Sequence, residues 1–191
     1  LAQGIHSYRA LTEWAPVLEL FPRATYATLQ KSYRTTIEIM MLANQILAQM
    51  EEDLPLVEPV VRHGKEPEFL LQETFDIQVI QDTYELIRAN GHRSIALICK
   101  TTKETKALVE QLQNAQLPAQ LLDETSGIDQ EKLLVLPSHL AKGLEFDAVI
   151  VLAFDTPYFD HAIDRKLLYV ALTRAMHELY LIGPSRETFL L

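Results

Sequence analysis

Hydrophobic positions along the chain follow two different periods. Nearly continuous apolar runs at 94–99 and 146–154 have the length of buried strands. Between such runs, apolar residues recur three or four positions apart, as at 35–50, 75–91 and 102–115, which is typical of amphipathic helices. Strands that are apolar on both faces belong to parallel sheets covered by helices. The pattern therefore predicts an α/β fold with three layers, in which a mostly parallel sheet lies between helices.

The remaining elements follow from the same periods and from the capping and turn residues at their ends. Gly91 is the expected end of the second long helix, and Thr101 or Thr102 is the expected N-cap of the third. The prolines and glycine within 51–74 predict an irregular or small-strand insertion with at most one strand pair. Further helices are predicted at 10–21 and 164–175, and further strands at 24–30, 119–122, 132–138 and 177–183.

Length and composition bound the class of protein. We expect residues 1–191 to form a single domain with a sizeable core, because 48% of the residues are hydrophobic and 23% are charged. No apolar run is long enough for a membrane span, so no membrane partner is expected. The single cysteine, Cys99, indicates a reducing compartment, and we expect the cytoplasm. The first residue is Leu1, which suggests a piece of a longer protein.

Charge and motifs exclude several kinds of site. A net charge of −9 argues against binding nucleic acid by overall charge, so any such contact must be local. No G-x-x-x-x-G-K-[ST] phosphate loop occurs, since the Gly64-Lys65 pair lacks both the earlier glycine and the hydroxyl residue. The histidines and Cys99 show no metal-ligand spacing, so no metal ligands are expected.

Charged residues follow one predicted strand closely. Lys142 and Glu145 come after the apolar run at 132–138. Ligands of parallel sheets bind at the carboxyl ends of the strands. We therefore expect these side chains to lie at the carboxyl edge of the sheet.

Four charged stretches, taken in order, resemble motifs of one helicase family. They are "QGIHSYRA" (3–10), "LQKSYRTTIEIMMLANQIL" (29–47), "SHLAKGLEFDAVIV" (138–151) and "LLYVALTRAMHELYLIG" (167–183). They are similar to motifs III, IV, V and VI of superfamily 1 DNA helicases of the UvrD/Rep/PcrA type. The resemblance implies the second, C-terminal RecA-like motor domain, with residues 1–10 as the tail of motif III.

The resemblance also implies what this chain lacks. In the family, ATP binds between two motor domains, and the first of them holds the phosphate loop and the magnesium ion. That first domain of the same protein is therefore an expected partner, together with single-stranded DNA. The isolated chain is expected to be inactive.

The resemblance implies a role in ATP binding for individual residues of this chain. Arg34 and Arg174 would be arginine fingers, a task for which the planar and permanently charged guanidinium is suited. The other nucleotide contacts implied are γ-phosphate sensing by Gln3, adenine stacking by Tyr33, close backbone approach at Gly143 and ribose binding by Glu145. An ordinary salt bridge is the alternative role for each charged side chain.

Contacts with a single strand are implied for a second set of residues. Single strands are held by aromatic stacking beside basic charge. Tyr8, Arg9 and His139 are the candidates, and Lys142 could serve either the nucleotide or the DNA. Pro137 replaces the threonine that usually begins motif V.

Two other functions remain open at the level of the sequence. Helices and strands fill the segment between Arg34 and Lys142, so the large insertion of the family is absent. A shortened domain of this kind is expected of the HelD-like branch, whose members associate with RNA polymerase, which makes that enzyme the alternative partner. A binding module with a degenerate nucleotide site is the third hypothesis.

Overall fold

A computed structural model of the chain describes residues 15–25, 31–32, 34–50, 56–59, 62–123, 127–129 and 131–191. The helices are α1 (Ala15–Leu20), α2 (Ile37–Leu47), α3 (Ile77–Ala89), α4 (Thr102–Asn114) and α5 (Ala162–Leu172). The strands are β1 (Lys31–Ser32), β2 (Glu58–Pro59), β3 (Glu68–Leu71), β4 (Ile95–Cys99), β5 (Ala119–Leu121), β6 (Leu133–Pro137), β7 (Phe146–Leu152) and β8 (Ala175–Gly183). Short 3-10 helices occupy Ser138–Leu140 and Glu187–Phe189.

The main sheet has six strands in the order β3-β8-β7-β4-β6-β5, and each neighbouring pair is parallel. β1 and β2 form a separate parallel pair. The predicted parallel α/β sheet is confirmed. The segment 51–74 contributes β2 and also β3, which joins the main sheet as an edge strand beside β8.

Two apolar cores lie on opposite faces of this sheet. In β4, Ala96 and Ile98 pack into the core that includes α2 and α5, while Ile95, Leu97 and Cys99 pack into the core with α3 and α4. Successive strand residues point to opposite faces, so a strand buried on both faces must be apolar at every position. That requirement explains the continuous apolar runs and confirms the three-layer arrangement.

Helix boundaries follow local capping chemistry. The Thr101 hydroxyl accepts a hydrogen bond from the Glu104 N–H, which makes Thr101 the N-cap of α4. Gly91 follows α3 with a φ of 91°, a value that favours glycine. α5 ends at Leu172, earlier than predicted, because the backbone of Ala175 already pairs with β7.

α1 covers the later part of the predicted helix 10–21, and residues 10–14 lie outside the described part. The predicted strand 24–30 falls mostly outside it as well, and Ala24 and Thr25 are not in a strand. No helix within the described ranges is long and apolar enough to cross a membrane.

Candidate functional site

Glu145 and Arg174 lie at the amino edge of the sheet. Each immediately precedes a strand, β7 and β8 respectively, and the Phe146 N–H donates to the Arg174 carbonyl at 3.0 Å. The expected position of Glu145 at the carboxyl edge was therefore wrong, and Lys142 lies in the connection between the two edges. β6 ends beside Cys99, where β4 also ends, whereas β7 starts beside the beginning of β4. Parallel strands require the connection 138–145 to cross from one edge to the other.

The Arg174 side chain is buried, with 1% of its surface exposed. Its Nε donates to the Val170 carbonyl at 3.0 Å, Nη1 to the Leu144 carbonyl at 3.2 Å, and Nη2 to the Thr173 hydroxyl at 3.1 Å. These contacts hold the guanidinium at one place and in one plane. Burial lowers the pKa of Arg174, and the charge of Arg34 lowers it further. The group is still a cation at neutral pH, because arginine starts from a very high pKa.

Arg34 lies two residues before the N-cap of α2 and forms an ion pair with Glu145 through Nε. Both side chains are partly exposed, at 43% and 38%. An exposed pair of this kind stabilises a protein by about 0–1 kcal/mol. The pair can therefore open at little cost when another anion or hydrogen-bond partner arrives.

Arg34, Arg174 and Thr35 line one pocket of about 160 Å³, together with Met40, Val57, Tyr169 and Thr173. Two guanidinium groups thus meet, and the carboxylate that the described residues place beside them is that of Glu145, so the local charge is positive although the whole chain is acidic. A buried charge is costly unless it is paired. The pocket is suited to an anion, and guanidinium forks bind phosphate oxygens especially well.

Thr35 provides a second polar group in the same pocket. Its side chain is 2% exposed, and its Oγ1 has no hydrogen-bond partner among the described residues. A buried hydroxyl without a partner costs about 1–3 kcal/mol. A bound oxygen-rich group would supply the missing hydrogen bond.

The loop before β7 contains the other candidates of motif V. Gly143 has a φ of 87°, and a Cβ there would meet nothing within 4 Å. The glycine is therefore favoured by its left-handed backbone, and no neighbouring group in the described chain crowds it. Lys142 is exposed beside it. His139 is half-buried and follows the end of β6, so it lies on the opposite edge of the sheet from Glu145.

Four predicted site residues, namely Gln3, Tyr8, Arg9 and Tyr33, lie outside the described residues. The structure brings Arg34, Glu145 and Arg174 together and separates them from His139 by the length of the strands.

Arg62 also contacts this site, and no pattern along the chain indicated it. Its Nη2 donates to the carbonyl oxygens of Arg34 at 2.9 Å and Met176 at 2.7 Å. It therefore ties the backbone of Arg34 to the start of β8. Arg62 lies in a segment without hydrophobic periodicity, and a role through backbone carbonyls leaves no pattern in sequence.

The neighbouring Gly64 does not form a phosphate loop. Its N–H donates to the Glu38 carboxylate at 2.8 Å, and a Cβ at this position would lie 2.4 Å from Thr36 Cγ2. The glycine is required for close packing against the start of α2.

Residues 132–182 match the family described as UvrD-like helicase C-terminal domain. A "Probable DNA helicase" of Mycoplasma pneumoniae is 39% identical over 82 residues, which cover 37% of this chain and 16% of that protein. The ATP-dependent DNA helicase PcrA of Bacillus subtilis is 36% identical over 76 residues, covering 35% of this chain and 10% of PcrA. The chain therefore corresponds to a small part of the length of these relatives.

A crystal structure described as the C-terminal domain of a possible DNA helicase from Lactobacillus plantarum WCFS1 has the same fold. The two structures superpose with a TM-score of 0.63 and 26% sequence identity, covering 80% of this chain and 88% of the other. The α/β fold and the resemblance to the C-terminal domain of UvrD-like helicases are confirmed.

Proposed function

We propose that this chain, a relative of the UvrD-like helicase C-terminal domains, is the second motor domain of an ATP-dependent DNA helicase or translocase. It would form half of an ATP site, and the first motor domain of the same protein would supply the phosphate loop and hold the magnesium ion. Arg34 and Arg174 in one pocket carry this proposal, because they place two guanidinium groups beside a single carboxylate.

The arrangement gives each side chain a task in binding ATP. Arg174 is fixed by three hydrogen bonds and presents a positioned cation to the γ-phosphate. Arg34 would leave Glu145 for the phosphate, which frees that carboxylate to accept a hydrogen bond from the ribose. Tyr33, next to Arg34, would stack on the adenine, Gln3 would sense the γ-phosphate, and Gly143 would keep the loop conformation.

Single-stranded DNA would bind along the opposite edge of the sheet. His139 follows β6 there, and Tyr8 and Arg9 are proposed to contact the single-stranded DNA together with it. The segment 138–145 runs from His139 to Glu145 and so connects the two edges directly. A shift of this segment would couple nucleotide binding to the grip on DNA, with Lys142 on its exposed side.

The alternative partner, RNA polymerase, has no support from the relatives, which are named as DNA helicases. We therefore propose that the motor moves along DNA, and we propose no second function.

Replacement of the two arginines tests the proposal in the intact protein. Arg174→Ala is expected to lower the ATP turnover number at least about 10³-fold, as removal of an arginine finger does elsewhere. Binding of a fluorescent ATP analogue should weaken far less, because the phosphate loop of the other domain would still hold the nucleotide. Arg34→Ala should behave alike, and Arg88→Ala, which removes an ion pair with Glu131, is the matched control.

Arg174→Ala also removes hydrogen bonds to the carbonyls of Val170 and Leu144, so misfolding must be separated from lost catalysis. Arg174→Lys keeps the charge and lacks the planar fork. It should melt near the wild-type temperature and still lose most turnover. A folded Arg174 variant with normal turnover would remove this arginine from the site.

A further inference from the structure

A β-bulge interrupts the pairing of β7 with β8 at the amino edge of the sheet. Between two paired positions β7 has one residue, Asp147, where β8 has two, Met176 and His177. A bulge takes a residue out of the regular ladder and turns its side chain. Here the Met176 carbonyl accepts a hydrogen bond from Arg62 Nη2 at 2.7 Å, and the His177 ring lies against the ring of His92.

His92 and His177 form a stacked pair of imidazole rings. Their centroids are 5.2 Å apart, and the angle between their planes is 19°. His92 Nε2 donates to the Glu178 carboxylate at 3.2 Å, which fixes that ring. Glu178 is buried and also accepts from the Asn90 amide at 2.9 Å and from the Tyr180 hydroxyl at 2.7 Å. Positive charge on both stacked rings at once is unfavourable, because like charges at this distance repel each other.

The titratable groups that face His177 come from every described element packed around it. They are Arg62 of the segment 62–64, His92 after α3, Asp147 of β7 and Glu178 of β8. Burial lowers the pKa of His177 below the usual 6.5, and the charges of Arg62 and His92 lower it further, while the two carboxylates oppose this change. The ring is therefore neutral at neutral pH and gains a proton only in mildly acidic solution.

The effect of Arg62 on His177 is necessarily reciprocal. Because the guanidinium in its present place disfavours protonation of His177, a protonated His177 makes that place less favourable for the guanidinium. Arg62 is exposed, and its hydrogen bonds to described residues go to the carbonyl oxygens of Arg34 and Met176. Since none of the described carboxylates holds it, Arg62 can turn toward solvent.

We propose that His177 is a pH-sensitive positioning residue for Arg34. Protonation of His177 releases Arg62 from the two carbonyls, and the backbone of Arg34 is then no longer tied to the start of β8. Since Arg34 shares its pocket with Arg174, ATP turnover falls as the solution becomes acidic. This last step rests on the proposed function, whereas the link between His177 and Arg34 does not.

An NMR titration of the 191-residue chain between about pH 5 and 8 tests the link without ATP. The Thr35 N–H belongs to the same peptide group as the Arg34 carbonyl, so its signal should shift with the midpoint of the His177 ring. In His177→Gln the Thr35 amide should lose this transition. In Arg62→Gln the pKa of His177 should rise, because a positive charge beside the ring is removed.

His63→Gln is the matched control for the titration. His63 is a histidine next to Arg62, it contacts Glu38, and it is not part of the stacked pair. The proposal is overturned if the Thr35 transition persists in His177→Gln, if it disappears in His63→Gln, or if the pKa of His177 is unchanged in Arg62→Gln. The third measurement leaves His177 in place, so it decides the matter even if His177→Gln does not fold.

The ATPase of the intact protein tests the consequence for turnover. From about pH 7.5 to about pH 5.5, the turnover number of the unmodified protein should fall at least about threefold more than that of His177→Gln. His161→Gln, at an exposed position before α5, should follow the unmodified protein.

The two experiments separate the possible failures. Coinciding pH profiles of the unmodified protein and His177→Gln would overturn control of turnover by His177, even where the NMR link holds. Full activity of Arg34→Ala would overturn the proposed role of Arg34 in the ATP site, and the NMR titration would still decide whether His177 controls the position of Arg34.

Discussion

Thr35 and Thr36 are neighbours, both are buried, and their hydroxyls have opposite roles. Thr36 is the N-cap of α2, and its Oγ1 accepts from the Ile39 N–H at 3.5 Å. Thr35 lines the arginine pocket, and its Oγ1 has no hydrogen-bond partner within the described parts of the chain. Helix stability explains the first hydroxyl, whereas no contact among the described residues explains the second.

Replacing each threonine by valine separates the two roles with little change in volume. Thr36→Val should lower the free energy of unfolding by about 1 kcal/mol, the usual cost of a lost N-cap. Thr35→Val should leave it unchanged or raise it by up to about 1 kcal/mol, because an unpaired buried hydroxyl is removed. Urea unfolding measures both, and a large loss in Thr35→Val would show that its hydroxyl has a structural partner.

At the scale of single residues, the resemblance implied that Arg34, Glu145 and Arg174 share one site, and the sequence pattern predicted the wrong edge of the sheet for Glu145. Arg34, Glu145 and Arg174 meet as the resemblance implied. Their position at the amino edge depends on where the segment 138–145 crosses the sheet. The apolar pattern could not show that crossing, because it marks strands and carries no information about the path between them.

At the scale of elements, α2 is held at its start by the segment 62–64. His63 Nδ1 donates to Glu38 at 2.8 Å, and the Gly64 N–H donates to the other oxygen of the same carboxylate at 2.8 Å. Arg62 fixes the backbone of Arg34 from the same segment. Together these contacts place Arg34 relative to β8, so the segment supports the site without lining it.

The contact between Glu38 and His63 should be visible in a pH titration. The hydrogen bond from His63, followed by backbone N–H groups, lowers the pKa of Glu38 from 4.5 to about 2. Since the folded pKa is below the unfolded one, the ionised carboxylate stabilises the fold above about pH 4.5, and this contribution is lost as the pH falls toward 2.

NMR titration of Glu38 checks this expectation. In His63→Ala the pKa should return toward 4.5, whereas His161→Ala, at an exposed position far along the chain, should leave it low. A Glu38 pKa of 4.5 in the unmodified chain would contradict the contact.

Elements whose apolar residues recur with a regular period were predictable from the sequence, and elements without such a period were not. α3 and α4 lie within the predicted spans 75–91 and 102–115, because their apolar residues recur with the helical period. β3 was hidden in the proline-rich stretch 51–74. As an edge strand of four half-buried or exposed residues, it carries little hydrophobic signal.

The whole chain is acidic and yet holds a positive pocket at one edge of its sheet. A net charge of −9 makes the guanidinium groups of Arg34 and Arg174 a local exception, placed where an anion would be bound. The opposite edge carries His139. A domain with the proposed ATP contacts at one edge and the proposed DNA contact at the other is suited to couple the two.

We predict that the isolated chain hydrolyses no ATP above background. The arginines can stabilise negative charge, but no phosphate loop occurs in the sequence. A sensitive phosphate-release assay on the purified chain checks this, with Arg174→Ala as the control for contaminating activity. Turnover that disappears in that variant would contradict a divided ATP site.

We propose that this domain belongs to a DNA-dependent ATPase, and the ATPase rate of the intact protein, measured with and without single-stranded DNA, is the sharpest test. At least about a tenfold stimulation by the DNA is expected, because the segment 138–145 would connect the two sites, and this activity should be lost in Arg174→Ala. A rate that is the same with and without DNA would show that the proposed coupling does not exist.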